Sequence, residues 1–319
     1  MRVAFFGTPE FAVPSLRALV GEGFDVVAVV TQPDAPQGRS RSTLVAPPVK
    51  VAAQAEELPV LQPVKPTDPA FLDQLRALNP DIGVVVAYGH ILKREILALP
   101  PRSMVNVHPS LLPGLRGAAP IEWAIIRGHE TTGVSIMQLD EGMDSGPVLH
   151  QIPHHIGPDV TAGELSAHLA EMGAQALIET LAMLEQSDPP PAPVAQNEER
   201  ATFAPKLTRE IAHIDWTKDA RSIGCLIRGL DPRPGAWTEL SGAEIKLFNP
   251  KVNEPPFPGT GAPGEVLSAD ASIVIATGPF KDTAGGTVEI LEVQPAGKAR
   301  MRADEWLHGA RLKVGAKFS

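Results

Sequence analysis

A chain of 319 residues is long enough for two domains that each bury a core of their own. Apolar residues make up 43% and charged residues 20%, and no apolar run approaches the roughly 18 residues of a membrane span, so disordered and membrane-spanning classes are excluded. The net charge of −9 is uneven, with 13 Lys and Arg against 23 Asp and Glu up to residue 205 but 15 against 14 beyond it, which leaves room for a local basic surface facing a polyanion.

The single cysteine, Cys225, excludes an intramolecular disulfide and a thiolate metal cluster, and reads as a small buried apolar residue. The start "MRVAFFGTPEFAVPSL" is broken by Gly7, Pro9 and Glu10 and lacks a small-residue cleavage pattern, so a mature cytoplasmic N-terminus is expected.

In chain order, "RVAFFG" predicts a strand, "TPEFAVPSLRALVGEG" a helix and "FDVVAVVTQPD" a second strand. Such uninterrupted β-branched runs are buried on both faces of a parallel sheet. The alternation continues with "VKVAAQAEEL" (helix), "PVLQP" (strand), "DPAFLDQLRALN" (helix), "PDIGVVVAYG" (strand), "HILKREILAL" (helix) and "SMVNVHPS" (strand). The expectation is a doubly wound, mostly parallel, Rossmann-like α/β domain. Its ligand crevice should lie beyond the strand ends at Gly7, Tyr88–Gly89 and residues 106–110.

"AAPIEWAIIRGHE" predicts a helix, and "TTGVSIMQLDEGMDSGPVLHQIPHHI" two strands around a glycine-rich loop that carries Asp140, Glu141 and Asp144. "TAGELSAHLAEMGAQALIETLAMLEQ" is the clearest helix, with Thr161 and Glu164 spaced as a capping box. The proline-rich stretch that follows reads as an extended spacer. The expected division is a catalytic domain at 1–188, a linker at 189–206 and a second domain at 207–319.

Beyond the linker, "HIDWTKDARSIGCLIRGL" predicts a helix. "GAWTEL", "AEIKLFNPKV", "GEVLSAD", "SIVIATG", "TVEILEVQ" and "ARLKVG" then predict short strands of a small antiparallel, OB-like barrel. Folds of this kind are often used on nucleic acids, though the architecture alone does not prove it.

The stretch "VNVHPSLLPGLRGAAPI", residues 105–121, carries the candidate chemistry. Asn106 and His108 are two apart on a strand and so aim at one face, and the proline- and glycine-rich loop after them holds that volume open. An imidazole with a carboxylate partner is an acid/base device, and an amide nearby can donate to a developing oxyanion. Together they suit acyl transfer to an amine. By spacing, Asp140 and Asp144 are equally eligible as the carboxylate. No metal is expected, because His154 and His155 are adjacent and point apart on a strand and His108 and His129 have no ligand-like spacing. "FFGTPEF" lacks both a dinucleotide fingerprint and a P-loop lysine. The long basic loop "PQGRSRSTLVAPPVK", with Arg39, Arg41 and Lys50, is a candidate for an anionic ligand.

With these residues in view, "NVHPSLLPGLRGAAPI", "GVSIMQLDEGMDSGPVL", "FFGTPEFA" and "FAPKLTREIAHIDW" together resemble the methionyl-tRNA formyltransferase family of the folate-dependent formyltransferase superfamily, through both domains. The resemblance implies transfer of a formyl group from 10-formyltetrahydrofolate, as co-substrate and without a metal, to the α-amino group of methionine on initiator tRNA. It implies a catalytic trio of Asn106, His108 and Asp144, and so favours Asp144 over Asp140. It also implies a folate-contacting segment of Ser110, Leu111, Leu112 and Pro113, with the pterin beside Tyr88, Ile91 and Leu92. The tRNA contacts it implies are Arg39, Arg41 and Lys50 in the inserted loop, and Lys206 in "FAPKL".

Three other readings are weighed against it: a formyltransferase for a small amine, which would not require the second domain; a folate hydrolase with water as acceptor; and an RNA-binding adaptor without activity. A monomer is expected, since no exposed apolar helix is evident for pairing.

Overall fold

The computed structural model describes residues 1–37, 43–187, 189, 192–253, 261–279 and 285–319. The chain forms two compact units, which interleave along the sequence. The first contains Met1–Pro120, Thr131–His155 and Ser166–Ala204; the second contains Ile121–Glu130, Ile156–Leu165 and Pro205–Ser319.

In the first unit, strands β1 (Arg2–Gly7), β2 (Asp25–Val30), β5 (Val60–Leu61), β6 (Ile82–Val86), β7 (Met104–His108), β8 (Thr131–Gln138) and β9 (Val148–His155) form one sheet in the order β5-β2-β1-β6-β7-β8-β9. A two-stranded hairpin, β3 (Ala35–Gln37) with β4 (Thr43–Val45), stands apart from it. The sheet is parallel through β7 and antiparallel from β7 to β9. The continuous Val and Ile runs make β6 and β7 buried at every position, as central strands covered on both faces must be.

Helices α1 (Val13–Gly21), α2 (Pro48–Ala55), α3 (Pro69–Ala77) and α4 (Arg94–Leu97) alternate with the strands. Phe6, Val30, Phe71, Leu75, Val85 and Met104 belong to one buried cluster between these layers. Of the helix expected over residues 90–99, only the turn of α4 forms.

Helices α5 (Pro120–Ile126) and α6 (Ala162–Gln186) follow. The capping box of α6 is formed: Glu164 Oε2 accepts from the Thr161 amide at 2.9 Å, and Thr161 Oγ1 accepts from the Glu164 amide at 3.3 Å.

In the second unit, α7 (Ala220–Gly229) packs on an antiparallel sheet of β10 (Ala236–Leu240), β11 (Ala243–Asn253), β12 (Val266–Ala269), β13 (Ile273–Pro279), β14 (Gly285–Pro295) and β15 (Met301–Arg302). Its order is β10-β11-β14-β13-β12, with β15 on β14. The C-terminal residues link the two ends of this sheet, since Phe318 bridges Leu240 and Lys317 bridges Glu265. The expected strand "ARLKVG" is absent. Residues 303–310 instead form α8 (Ala303–Ala310), with Asp304 and Glu305 in its first turn and Trp306 and Leu307 packed on the core. Two carboxylates at a helix N-terminus complement its dipole, and Arg311, left-handed at φ 51°, ends the helix, so the expected strand is interrupted at its second residue.

Alongside the expected division into 1–188, 189–206 and 207–319, the two compact units share the chain differently, with 121–130 and 156–165 in the second. Trp123 Nε1 donates to Pro205 O at 2.7 Å, Arg228 Nη1 to Val160 O at 2.9 Å and the Gly163 amide to Asp231 O at 2.9 Å, which ties 121–130 and 156–165 into the second unit. Within the stretch expected as an extended spacer, Glu198–Arg200 form a 3₁₀ turn and residues 194–204 are hydrogen-bonded into the first unit. Val194 and Val148 exchange two backbone bonds of 2.8 Å, the Arg116 amide donates to Thr202 O at 2.8 Å and the Ala204 amide to Arg116 O at 2.7 Å.

Candidate active site

Asn106 and His108 close β7, and both are buried. Two polar side chains on a strand covered on both faces cost desolvation energy that an apolar pair would not. The Asn106 amide forms no side-chain hydrogen bond among the described residues, so its donors are available to a ligand.

The surroundings of His108 define its protonation. Its Nε2 lies 3.1 Å from Leu115 O, and a carbonyl only accepts, so the neutral ring carries its proton on Nε2. The Nδ1 lone pair then faces Asp144, whose Oδ2 is 3.8 Å away. That same oxygen accepts the Gly117 amide at 2.8 Å. Asp140, equally eligible by spacing, turns its carboxylate to the Gly142 amide at 2.9 Å and to Ser145 Oγ at 3.0 Å. It is Asp144 that the fold brings to His108.

The two residues facing the ring nitrogens are both left-handed, Leu115 at φ 58° and Asp144 at φ 52°. Asp tolerates this conformation, whereas for Leu it costs roughly 1–2 kcal/mol, a strain that persists only where the surroundings hold it. Here the Leu115 amide donates to Thr202 Oγ1 at 2.8 Å. Leu115, Gly117 and Thr202 were not legible as site residues in the sequence, because their contribution is made mainly by backbone atoms.

Burial pushes the His108 imidazole below its ordinary range; the Asp144 charge and the Leu115 carbonyl pull the other way without reversing it. The unfolded chain, with an ordinary imidazole near 6.5, therefore takes up this proton first as pH falls. The contribution of neutral buried His108 to stability is complete above about pH 6.5 and is lost as pH falls toward and through the folded value. Chemical denaturation of wild type and His108→Gln from about pH 8 to about pH 5 should show their stability difference shifting against the wild type below about pH 6.5; a pH-independent difference contradicts this reading.

The other expected site residues are placed unevenly. Ser110 and Leu112 are buried, Ser110 Oγ donating to Gly114 O of the same loop at 2.6 Å and the Leu112 amide to Ser135 Oγ of β8 at 3.0 Å. Leu111 and Pro113 are half-buried and keep open surface.

Tyr88 and Leu92 are core residues, with the Tyr88 ring edge-on to Phe6. The Tyr88 hydroxyl finds no partner among the described residues, and burial pushes it up to about 12. The side chains of Tyr88 and Leu92 are thus buried, whereas Ile91 is 77% exposed. The Tyr88 carbonyl is used already, accepting from Thr8 Oγ1 at 2.9 Å and Gln32 Nε2 at 3.1 Å.

Arg39 and Arg41 lie outside the described residues. Lys50 is not a loop residue but stands in the first turn of α2, paired with Asp34 at 2.8 Å. Lys206 is exposed in the second unit. No group of three or more His, Cys, Asp and Glu among the described residues could hold a metal ion.

A mostly parallel α/β sheet unit followed by an antiparallel sheet domain matches the formyltransferase fold. A family model described as formyl transferase matches residues 1–181, and one described as formyl transferase, C-terminal domain, matches residues 206–311. The chain belongs to the formyl transferase family and, at 42–46% identity over essentially its full length, to the methionyl-tRNA formyltransferases within it.

It is 46% identical to the methionyl-tRNA formyltransferase of Geobacillus thermodenitrificans, covering 99% of this chain and 97% of that one. With that of a Synechococcus it shares 45% identity over 100% of this chain and 98% of the other. Among solved structures, the fold resembles WlaRD, a sugar 3N-formyl transferase, with a TM-score of 0.68 and 16% identity over 94% of this chain and 99% of that one. It also resembles HypX from Aquifex aeolicus, with a TM-score of 0.64 and 21% identity over 98% of this chain, which spans about half (48%) of that longer chain.

Proposed function

We propose that this chain transfers the formyl group of 10-formyltetrahydrofolate to the α-amino group of methionyl initiator tRNA, in the cytoplasmic initiation of translation. The observation that carries the reading is identity of 42–46% with methionyl-tRNA formyltransferases across essentially the full length, second domain included. Likeness to the sugar enzyme is confined to fold.

In this reading the neutral amine attacks the formyl carbon, giving a tetrahedral adduct with a negative oxygen and a positive nitrogen. Asn106 donates its amide N–H to the oxyanion. His108 Nδ1, the lone-pair nitrogen of the neutral ring, takes the proton from the adduct nitrogen. The imidazolium so formed is balanced by Asp144 on one side and Leu115 O on the other. The proton then passes to N10 of the folate as the carbon–nitrogen bond breaks, so the amine loses one proton and tetrahydrofolate gains one.

The folate segment is 110–113, with the open surfaces of Leu111, Pro113 and Ile91 facing the co-substrate. Arg39, Arg41, Lys50 and Lys206 are the proposed tRNA contacts, Lys50 exchanging Asp34 for phosphate. Asn106, His108 and Asp144 all come from one unit of one chain, so a monomer suffices.

The test is transfer from 10-formyltetrahydrofolate with Met-tRNA, an amino-sugar nucleotide, glycinamide ribonucleotide or no acceptor. Formylmethionyl-tRNA as the dominant product is expected. Turnover with a small amine, or formate release without acceptor, in place of Met-tRNA formylation sinks the reading.

A further inference from the structure

Gln196 lies 52 residues beyond Asp144, in the stretch that composition marks as a linker, yet its side chain is fully committed. Its Nε2 donates to Asp144 O at 2.9 Å and to Gly146 O at 2.7 Å. Its Oε1 accepts from Arg116 Nε at 3.0 Å and Arg116 Nη2 at 2.8 Å. The two carbonyls can only accept and the guanidinium can only donate, so the amide has one possible orientation and all its hydrogen-bonding capacity is met.

Arg116 is itself fixed. Its side chain is only 3% exposed, and its Nη1 and Nη2 make a bidentate pair with Glu198 at 2.9 and 2.8 Å. The same stretch holds the other side of the imidazole, through Thr202 on the Leu115 amide and Ala204 on the Arg116 carbonyl. Residues 194–204 thus clasp both loops that face His108: the loop carrying Asp144 and the loop carrying Leu115 and Gly117.

We infer that Gln196, with Arg116, is a positioning residue for formyl transfer: it holds the left-handed Asp144 turn so that the carboxylate faces His108 Nδ1. The inference rests on the proposed role of His108. The stretch 194–204 is therefore part of the catalytic unit. Gln196 touches neither reacting group. An error of about 1 Å in a catalytic group can cost about a hundredfold in rate, which is the scale of its leverage.

The experiment uses the full chain with Gln196→Met, which keeps length and removes both donors, and Gln196→Glu, which keeps shape but sets acceptor oxygens against two carbonyls. The readouts are kcat, KM for both substrates, the acid limb of the kcat–pH profile and the thermal midpoint. Expected for Gln196→Met is a kcat about 10- to 100-fold lower with KM changed less than about threefold. The acid limb should move to lower pH, since an imidazolium farther from Asp144 is less favoured. A purely structural role would lower the thermal midpoint and leave the pH limb in place.

A folded Gln196→Met with wild-type kcat and pH profile, or with a loss confined to KM, overturns the inference. If Gln196→Met does not fold, the same readings on Gln196→Glu decide. His108→Ala is measured alongside. If it loses turnover while the Gln196 variants do not, positioning by Gln196 fails alone; if it keeps turnover, the proton-transfer reading fails and this inference with it.

Discussion

His108→Ala is expected to lower kcat for formylation of Met-tRNA by about 10³-fold while leaving KM for either substrate within a few-fold. The group removed acts only once the amine has attacked, so the loss falls on turnover. Two contributions go together: the Nδ1 base that takes the proton from the adduct, typically about 10²–10⁴-fold, and the positive ring that then lies beside the oxyanion. Asn106→Ala removes only an oxyanion donor and should cost about 10²–10³-fold, without moving the acid limb of the pH profile. His108→Ala should abolish that limb. Steady-state kinetics over a pH series with saturating 10-formyltetrahydrofolate checks both; equal pH profiles for His108→Ala and wild type would rule out His108 as the titrating group.

Gly117→Ala carries the second large effect, and it joins stability to catalysis. Gly117 sits at φ 117°, which side-chain-bearing residues rarely adopt, and a Cβ there would come within 2.8 Å of Ala204 O. The neighbouring backbone is tied on both sides, by Ala204 to Arg116 O at 2.7 Å and by the Ala119 amide to Ala204 O at 3.2 Å. Relief therefore requires the 194–204 stretch to move or the peptide to turn. The strain amounts to about 1–3 kcal/mol. Turning the peptide also removes the Gly117 N–H from Asp144 Oδ2 and frees the carboxylate from its place opposite His108. The expected result is a thermal midpoint several degrees lower and a kcat down by at least about tenfold in the protein that remains folded. A variant with both values unchanged would show that the amide does not hold Asp144.

These two predictions draw on opposite kinds of legibility. Asn106 and His108 could be read from the sequence because a spacing of two on a strand sets a common face. The buried β7 carries both as read. Asp144 could not be separated from Asp140 by spacing. The distinction arises from a turn in which Asp140 bonds to Gly142 and Ser145 while Asp144, at φ 52°, is left to meet Gly117, 27 residues away. Within the stretch read as an extended, proline-rich linker, the partners of residues 194–204 were illegible for a related reason. Composition is silent on what a segment of chain lies against. A cut near Ser187 would remove Gln196 and Thr202 along with the part of the second unit that runs from Pro205 to Ser319.

By itself the sequence determined the alternation of strand and helix, the burial of the Val- and Ile-rich strands, the capping box of α6, the shared face of Asn106 and His108, and the family. All of these rest on periodicity, local chain stiffness or motifs, which neighbouring residues specify among themselves. Only the tertiary structure decided which carboxylate faces His108, which ring nitrogen carries the proton, that Lys50 is paired with Asp34, and that residues 194–204 clasp the site. Each of those depends on hydrogen bonds between groups distant along the chain, many of them backbone atoms, which every residue type supplies alike and whose partners exist only once the chain has folded.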